Sequence, residues 1–256
     1  MNLLILGCAS GMPSPNRAHS CYLLDATAKS YLLDCGGGAA SAMLRCKVDT
    51  SRISDIFISH THADHVSGLP LFIQMEYLLN RTNPLTVHVP SEFERPLRLM
   101  LSGMYLYPDK VGQRFDLDVR VMDDGFAFDD GEIRLSAHQN SHLLGNGDLL
   151  DGKPYDNRMQ CFRLSLRLAD RRFAYSADIA GLHDLTDIET DLDLLLTEGM
   201  HLDLGELPEL LLEKRVNKCI LTHLPEGFDR DGTLRYFEKA GFSNLDFAEE
   251  GRSFAI

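Results

Sequence analysis

The segment that most restricts the fold of this chain is DIFISHTHADHVSGL, residues 55–69. An apolar run ends at Ser59, and three histidines and an aspartate follow within six positions: His60, His62, Asp64 and His65. Each of these side chains costs free energy if it is buried without a partner. A fold that contains this segment must therefore bring a ligand or other partner to it.

The spacing of these residues predicts metal ligands. The apolar run predicts a buried strand, so the polar residues lie in a loop at the edge of a sheet. In an extended segment His60 and His62 point to the same side, and the turn that follows lets Asp64 and His65 face another way. Imidazole with carboxylate suits zinc, with iron or manganese as alternatives. One loop can thus contribute to two metal ions.

Further ligands are expected at other strand ends, because four side chains cannot complete the coordination of two ions. Asp178 in FAYSADIA and His223 in CILTHLP each follow an apolar strand pattern. One more histidine is expected as a ligand, and the segment SAHQNSHLLG contains two candidates for it, His138 and His142. We favour His142, because it lies farther along the loop. His138 is then expected outside the coordination sphere or on the surface.

Two internal echoes predict a repeated architecture. RISDIFISH in the first part of the chain resembles RVNKCILTH in the second, and SCYLLDATAKSYLLD resembles QCFRLSLRLADRRFAYSAD. The latter pair ends in Asp34 and Asp178, so each half ends a buried strand in a potential ligand. We therefore expect one domain, residues 1–256, built from two pseudo-repeated β-rich halves, at about 1–120 and 121–256.

The composition of the chain limits the classes of partner that it is expected to bind. The 256 residues suffice for a full core, and 44% of them are hydrophobic. The net charge of −13 makes long nucleic acid a less favoured partner, because proteins that bind it usually present a basic face. The six cysteines form no CxxC pair, and neither a signal-peptide pattern nor a membrane-length apolar run is present. We expect reduced thiols, a cytoplasmic location and no membrane partner.

The motif HTHADH resembles the HxHxDH signature of the metallo-β-lactamase fold superfamily. Later residues match in order: His142, then Asp178 in YSAD, then His223 in LTHL. The N-terminal LGCASGMPSP, HSCYLLD and YLLDCGGG resemble the opening of the ribonuclease Z-like and phosphodiesterase branch. The resemblance implies an α/β fold (α+β by some schemes), a four-layer αββα sandwich of two mixed β-sheets flanked by helices. Such a signature is specific for the fold but not for the substrate.

By position, the resemblance implies ligands for two divalent metal ions, with zinc favoured over manganese or iron: His60, His62 and His142 for the first, Asp64, His65 and His223 for the second, and Asp178 as the bridge. Such a pair holds a metal-bridging hydroxide as nucleophile, which Asp64 would also orient. In the ribonuclease Z-like branch, a histidine placed like His201 is the general acid, a role that suits imidazole.

Other histidines receive different expectations. His19, in the loop SPNRAHS, is a candidate to face the site, whereas His88 and His183 are expected to be structural. Dimerisation is common among relatives of this branch, so a homodimer is one option for the chain.

Two departures from the family concern the substrate. Ribonuclease Z enzymes usually carry a serine and an arginine soon after the last histidine, where this chain reads HLPE from His223. They also tend to insert a long tRNA-binding arm between the third histidine and the bridging aspartate. Here that interval leaves only a Gly- and Asp-rich loop of about residues 143–158.

These departures favour a phosphodiesterase that acts on a small or short phosphodiester. The alternatives are a carboxyl-ester, thioester or lactone hydrolase, or a tRNA-processing endoribonuclease on the same scaffold. A non-enzymatic alternative is an inactive metal-binding interaction module.

Overall fold

The computed structural model describes residues 2–256, which divide into two compact units. The first unit comprises residues 2–122 and 249–255, and the second comprises residues 123–248 and Ile256. Each unit contains a seven-stranded mixed sheet and a hydrophobic cluster of its own. The prediction of a single domain made from two repeated halves stays a prediction.

The described residues contain fourteen strands, which are, in chain order, β1 (Asn2–Gly7), β2 (Cys21–Asp25), β3 (Ser30–Leu33), β4 (Ile53–Phe57), β5 (Leu85–Pro90), β6 (Leu117–Met122), β7 (Ala127–Asp129), β8 (Arg134–Gln139), β9 (Phe162–Leu168), β10 (Arg171–Tyr175), β11 (Leu194–Glu198), β12 (Cys219–Thr222), β13 (Leu245–Phe247) and β14 (Ser253–Ala255). The α-helices are α1 (Ala39–Arg45), α2 (Ala63–Val66), α3 (Leu69–Leu78), α4 (Glu94–Gly103), α5 (Pro108–Val111), α6 (Gly147–Leu150), α7 (Leu207–Glu213) and α8 (Arg230–Lys239). Short 3₁₀ turns span Thr50–Arg52, Ser91–Phe93, Leu144–Asn146 and Leu182–Leu185.

The sheet of the first unit has the order β14-β1-β2-β3-β4-β5-β6. Its strands pair antiparallel from β14 to β3 and parallel from β3 to β6. The central parallel strands β3, β4 and β5 are almost entirely buried, as expected for strands covered on both faces, whereas the edge strand β6 is largely exposed. Helix α3 packs Phe72 and Ile73 into the same cluster as Ile56 of β4.

The sheet of the second unit has the order β13-β12-β11-β10-β9-β8-β7. Its strands pair antiparallel from β7 to β10 and parallel from β10 to β13, so the two sheets share one pattern of pairings. Helix α7 buries Leu207 and Leu211, which are four residues apart and therefore on one face. Both pack with Leu221 of β12 and Phe237 of α8 in the core of this unit.

Helix α8 is capped at both ends. The side chain of Asp229 accepts a hydrogen bond from Gly232 N at 2.9 Å and caps the first turn. Gly241, with φ of +96°, ends the helix in the left-handed region that favours glycine.

The strand directions place polar residues at one edge of each sheet. In the first unit the parallel strands β3 and β4 lead to Asp34 and to the HTHADH segment. In the second unit β8, β10, β11 and β12 all run in the same direction, since β8 and β10 are each antiparallel to β9. The carboxyl ends of such strands are the usual ligand-binding edge.

The α/β class with two mixed sheets flanked by helices is confirmed. Within residues 2–256 there is no helix with the length and apolar character needed to cross a membrane.

Candidate metal centre

In the first unit, the histidine-rich segment turns from β4 directly into α2. His62 is extended, with φ of −60° and ψ of 145°, and the helix begins at the next residue. This turn brings the rings together: the centroid of His60 lies 4.8 Å from that of His62 and 4.1 Å from that of His65. Nε2 of His65 lies 3.5 Å from Oδ2 of Asp64. The four predicted ligands of this unit are thus neighbours.

Asp34, the residue after β3, holds this segment in place. Its buried carboxylate lies 2.7 Å from Nδ1 of His65 and accepts hydrogen bonds from Ser59 N at 2.7 Å and from Ser59 Oγ at 2.9 Å. With Nδ1 donating to a carboxylate, Nε2 of His65 is the nitrogen that can bind a metal. The structure therefore gives Asp34 a positioning contact rather than the ligand role that the sequence echo with Asp178 suggested.

In the second unit, Asp178 lies between two histidines. Its Oδ2 is 3.8 Å from Nε2 of His142 and 3.4 Å from Nε2 of His223. Asp178 and His223 are each 3% exposed. One carboxylate oxygen thus lies near two imidazole nitrogens, and the bridging role of Asp178 stays a prediction.

Backbone strain occurs beside these donors. Ala177, which precedes Asp178, has φ of +54°, and His223 itself has φ of +57°. A non-glycine residue in this region costs on the order of 1 kcal/mol and persists where surrounding contacts require it. Such positions cluster at functional sites.

His142, and not His138, lies with the other predicted ligands of the second unit. His138 is in β8, and its Nε2 lies 2.9 Å from Ser136 Oγ. Burial lowers the pKa of His138, and the nearby Arg163 lowers this pKa further. His138 thus has a structural environment, while the assignment of His142 as a ligand stays a prediction.

His201 is held by a buried carboxylate next to His142. Glu198, the last residue of β11, is 1% exposed and accepts a hydrogen bond from His201 N at 3.0 Å. Nδ1 of His201 lies 3.2 Å from Glu198 Oε1, and its ring centroid is 5.2 Å from that of His142. Sequence reasoning did not assign a role to Glu198, although its position at a strand end three residues before His201 is the signal that marks it.

The remaining histidines have distinct surroundings. Burial lowers the pKa of His19. The charge of Asp64 opposes this shift and that of His65 adds to it, so two of the predicted ligands affect the pKa of His19. Nε2 of His88 lies 2.9 Å from Asp55 Oδ1, in a buried pair. Nε2 of His183 lies 2.7 Å from the hydroxyl oxygen of a serine, Ser141.

The donors within each unit fit divalent metal ions. In the first unit the ligand atoms of His60 and His62 lie within 4.8 Å of one another, as do those of Asp64 and His65. In the second unit the same holds for Asp178 with His142 and with His223. Imidazole nitrogens mixed with carboxylate oxygens suit Zn²⁺, Mn²⁺ or Fe²⁺ better than Ca²⁺ or Mg²⁺, which take oxygen ligands.

Known proteins resemble the chain over its full length. Ribonuclease Z of Bacillus cereus (strain AH187) is 24% identical over 314 aligned positions, which cover 100% of this chain and 99% of the relative. The crystal structure of the metallo-β-lactamase fold protein YhfI from Bacillus subtilis has a TM-score of 0.76 at 18% identity, covering 99% of this chain and 98% of that chain. A diphosphatase of the PhnP family has a TM-score of 0.73 at 13% identity, covering 100% and 97%.

These similarities confirm the predicted fold and branch. The protein is a metal-dependent hydrolase of the metallo-β-lactamase fold, in the ribonuclease Z-like and phosphodiesterase branch. The sequence model of one family, described as "Anti-Pycsar protein Apyc1", matches residues 1–254. The chain belongs to this family.

Proposed function

We propose that the chain is a binuclear metal-dependent phosphodiesterase whose substrate is a small or short phosphodiester. The observation that carries the proposal is the set of His and Asp donors at the strand ends of both sheets. The phosphodiesterase branch and the similarity to a diphosphatase of the PhnP family support phosphate chemistry.

The proposed ligands follow the family motif: His60, His62 and His142 for one ion, Asp64, His65 and His223 for the other, and Asp178 as the bridge. The donor types favour Zn²⁺, with Mn²⁺ and Fe²⁺ as alternatives. When bound, two such ions lower the pKa of water and polarise the phosphoryl oxygens.

Two residues carry the remaining roles. Asp64, whose Oδ2 lies 3.5 Å from Nε2 of His65, would orient the attacking water. His201 would donate a proton from Nε2 to the leaving oxygen, because Glu198 lies at its Nδ1 and stabilises the protonated ring. The same carboxylate also fixes the ring by bonding the backbone N–H of His201.

The size of the substrate follows from charge and from the loop after His142. This loop, residues 143–158, contains only a 3₁₀ turn and the four-residue α6, and its three aspartates exceed its two basic residues, Lys153 and Arg158. Acidic side chains repel the phosphate groups of a nucleic-acid backbone. A substrate with one phosphodiester is compatible with both this loop and the net charge of −13.

The test is turnover by purified, zinc-loaded protein on a panel of bis-aryl phosphate, 3′,5′-cyclic nucleotides, a lactone and a thioester. We expect turnover of the phosphodiesters, its loss in His62→Ala, and its retention in the control His138→Ala. Cleavage of the lactone or thioester without any phosphodiester would overturn the proposal, and inactivity on the whole panel would favour an inactive metal-binding module.

A tRNA-processing endoribonuclease is the second candidate, because the Bacillus cereus relative is named ribonuclease Z. That alignment extends over 314 positions while the chain has 256 residues, so the relative contains additional segments. A gel assay on precursor tRNA distinguishes the candidates. Cleavage that falls steeply with added salt would identify a ribonuclease.

We also infer a cytoplasmic location, which the cysteines support. Within residues 2–256 all six are thiols and not disulfides, as expected in a reducing compartment. A homodimer stays a prediction, which the elution volume in size-exclusion chromatography with light scattering would test.

A further inference from the structure

Two loops that carry predicted ligands of the second unit meet at one carboxylate. Asp184 accepts hydrogen bonds from Ser141 N and Ser141 Oγ, both at 2.9 Å, and from Ala180 N, also at 2.9 Å. Ser141 immediately precedes His142, and Ala180 follows Asp178 by two residues. Asp184 therefore joins the loop after β8 to the loop after β10.

Asn140 joins the same two loops at a second point. Its Nδ2 donates to Asp178 O at 2.9 Å, and its Oδ1 accepts from His142 N at 3.1 Å. One buried amide thus bonds the main chain of both predicted ligands, and it is 6% exposed. The amide of Asn140 offers a donor and an acceptor in one planar group, and an ionised acid of the same shape would lose the donor.

The carboxylate of Asp184 is itself fixed by the core. The side chain is 7% exposed and lies in the 3₁₀ turn Leu182–Leu185, whose Leu185 is fully buried in the hydrophobic cluster. Arg163 of β9 donates to Asp184 O at 2.9 Å and also binds the carboxylate of Asp187. The two ligand loops are therefore tied to a rigid part of the unit and not only to each other.

We infer that Asn140 and Asp184 are positioning residues for the metal centre: they hold His142 and Asp178 at the separation that a shared ion requires. The inference rests on the proposed function, because the ion is what these two ligands would bind. Outer hydrogen bonds of this kind set the orientation of ligands, and their loss typically lowers metal affinity about 10–100-fold.

The test compares full-length variants of nearly unchanged shape: Asn140→Asp, Asp184→Asn and the control Asp187→Asn. Asp187 lies three residues beyond Asp184 and accepts its hydrogen bonds from Arg163 of β9 and not from a ligand loop. Zn²⁺ affinity is measured by competition with a chromophoric chelator at neutral pH, and the thermal unfolding midpoint is measured on the EDTA-treated proteins. We expect about 10–100-fold weaker Zn²⁺ binding in the first two variants and wild-type affinity in the control.

The readouts separate positioning from a purely structural role. A lower unfolding midpoint together with wild-type Zn²⁺ affinity in Asn140→Asp and Asp184→Asn would overturn the inference. If Asp184→Asn does not fold, Ser141→Ala removes one of the three hydrogen bonds that Asp184 accepts. A lower unfolding midpoint with wild-type Zn²⁺ affinity in Ser141→Ala would then overturn the part assigned to Asp184. A wild-type protein that binds no Zn²⁺ would refute the proposed metal centre, an outcome distinct from wild-type binding that the variants do not change.

Discussion

The carboxylate of Asp34 lies 2.7 Å from Nδ1 of His65, thirty-one residues away in sequence. The same carboxylate bonds the backbone and the hydroxyl of Ser59, the last residue before His60. Asp34 also has φ of +59°, a conformation that aspartate tolerates better than most residues. One side chain at the end of β3 therefore fixes both ends of the loop that carries the first-unit ligands.

We predict that Asp34→Asn lowers Zn²⁺ affinity about 10–100-fold. The amide keeps one acceptor oxygen but turns an N–H toward one of its present donors, which also lowers the free energy of unfolding by about 1–3 kcal/mol. Elemental analysis after dialysis and urea unfolding measure the two effects. Asp25→Asn is the control, since Asp25 ends the neighbouring strand and bonds Ser30 Oγ at 2.8 Å, outside the ligand loop. Full zinc retention in Asp34→Asn would contradict the positioning role.

The sequence predicts local features of the site well because its ligand types are concentrated. HTHADH after an apolar strand identifies four neighbouring side chains within six positions, and strand ends point to Asp178 and His223. Fold class follows from the same signature.

The long-range hydrogen bonds of the site could not be predicted from the sequence pattern. The contact between Asp34 and His65 and that between Asp184 and Ser141 depend on which loops meet, which spacing along the chain does not encode. Asp34 consequently looked like a ligand equivalent to Asp178. The similar segments RISDIFISH and RVNKCILTH form strands at different positions in the two sheets. β4 is adjacent to β3 in the first sheet, whereas β12 in the second sheet is separated from β10 by β11. Short buried strands use few residue types, so such echoes arise without equivalent positions.

Removal of metal is predicted to destabilise the protein. An ion that binds only the folded chain raises the free energy of unfolding by about 2.7 kcal/mol when its free concentration is one hundred times its Kd. We expect EDTA to lower the thermal unfolding midpoint and added Zn²⁺ to restore it. His62→Ala should show a smaller shift than wild type, because it removes a proposed ligand. Equal shifts in both proteins would mean that His62 does not bind the ion.

The role proposed for His201 predicts an effect that depends on the leaving group. His201→Gln removes the proton donor, and general acid catalysis contributes about 10²–10⁴-fold to the rate. An alkoxide leaving group needs the proton, whereas an aryl oxide leaves with little assistance. We therefore expect kcat to fall much more for a cyclic nucleotide than for a bis-aryl phosphate.

His138→Gln is the matched control for this prediction, because His138 is a histidine of the same unit outside the donor set. It should change neither rate by much. Equal losses on both substrates in His201→Gln would indicate a positioning role instead of proton donation.

The stability of the metal-free protein is predicted to depend on pH through His138. Burial and Arg163 lower the pKa of His138, whereas Asp187, Asp124 and Glu189 oppose the shift. Between this lowered pKa and the ordinary value near 6.5, the unfolded chain binds more protons than the folded one. The contribution of His138 to stability is therefore full above the ordinary pKa and is lost as the pH falls toward the folded-state pKa.

Urea unfolding with EDTA, at about pH 7.5 and about pH 5.5, measures this contribution, since the three carboxylates stay mostly ionised over that interval. Wild type should lose more of its free energy of unfolding than His138→Gln, and the difference should be small because solvent screens a half-buried group. All other histidines are common to both proteins, so the difference isolates His138. An identical pH dependence in the two proteins would mean that the folded state does not disfavour the charged form of this ring.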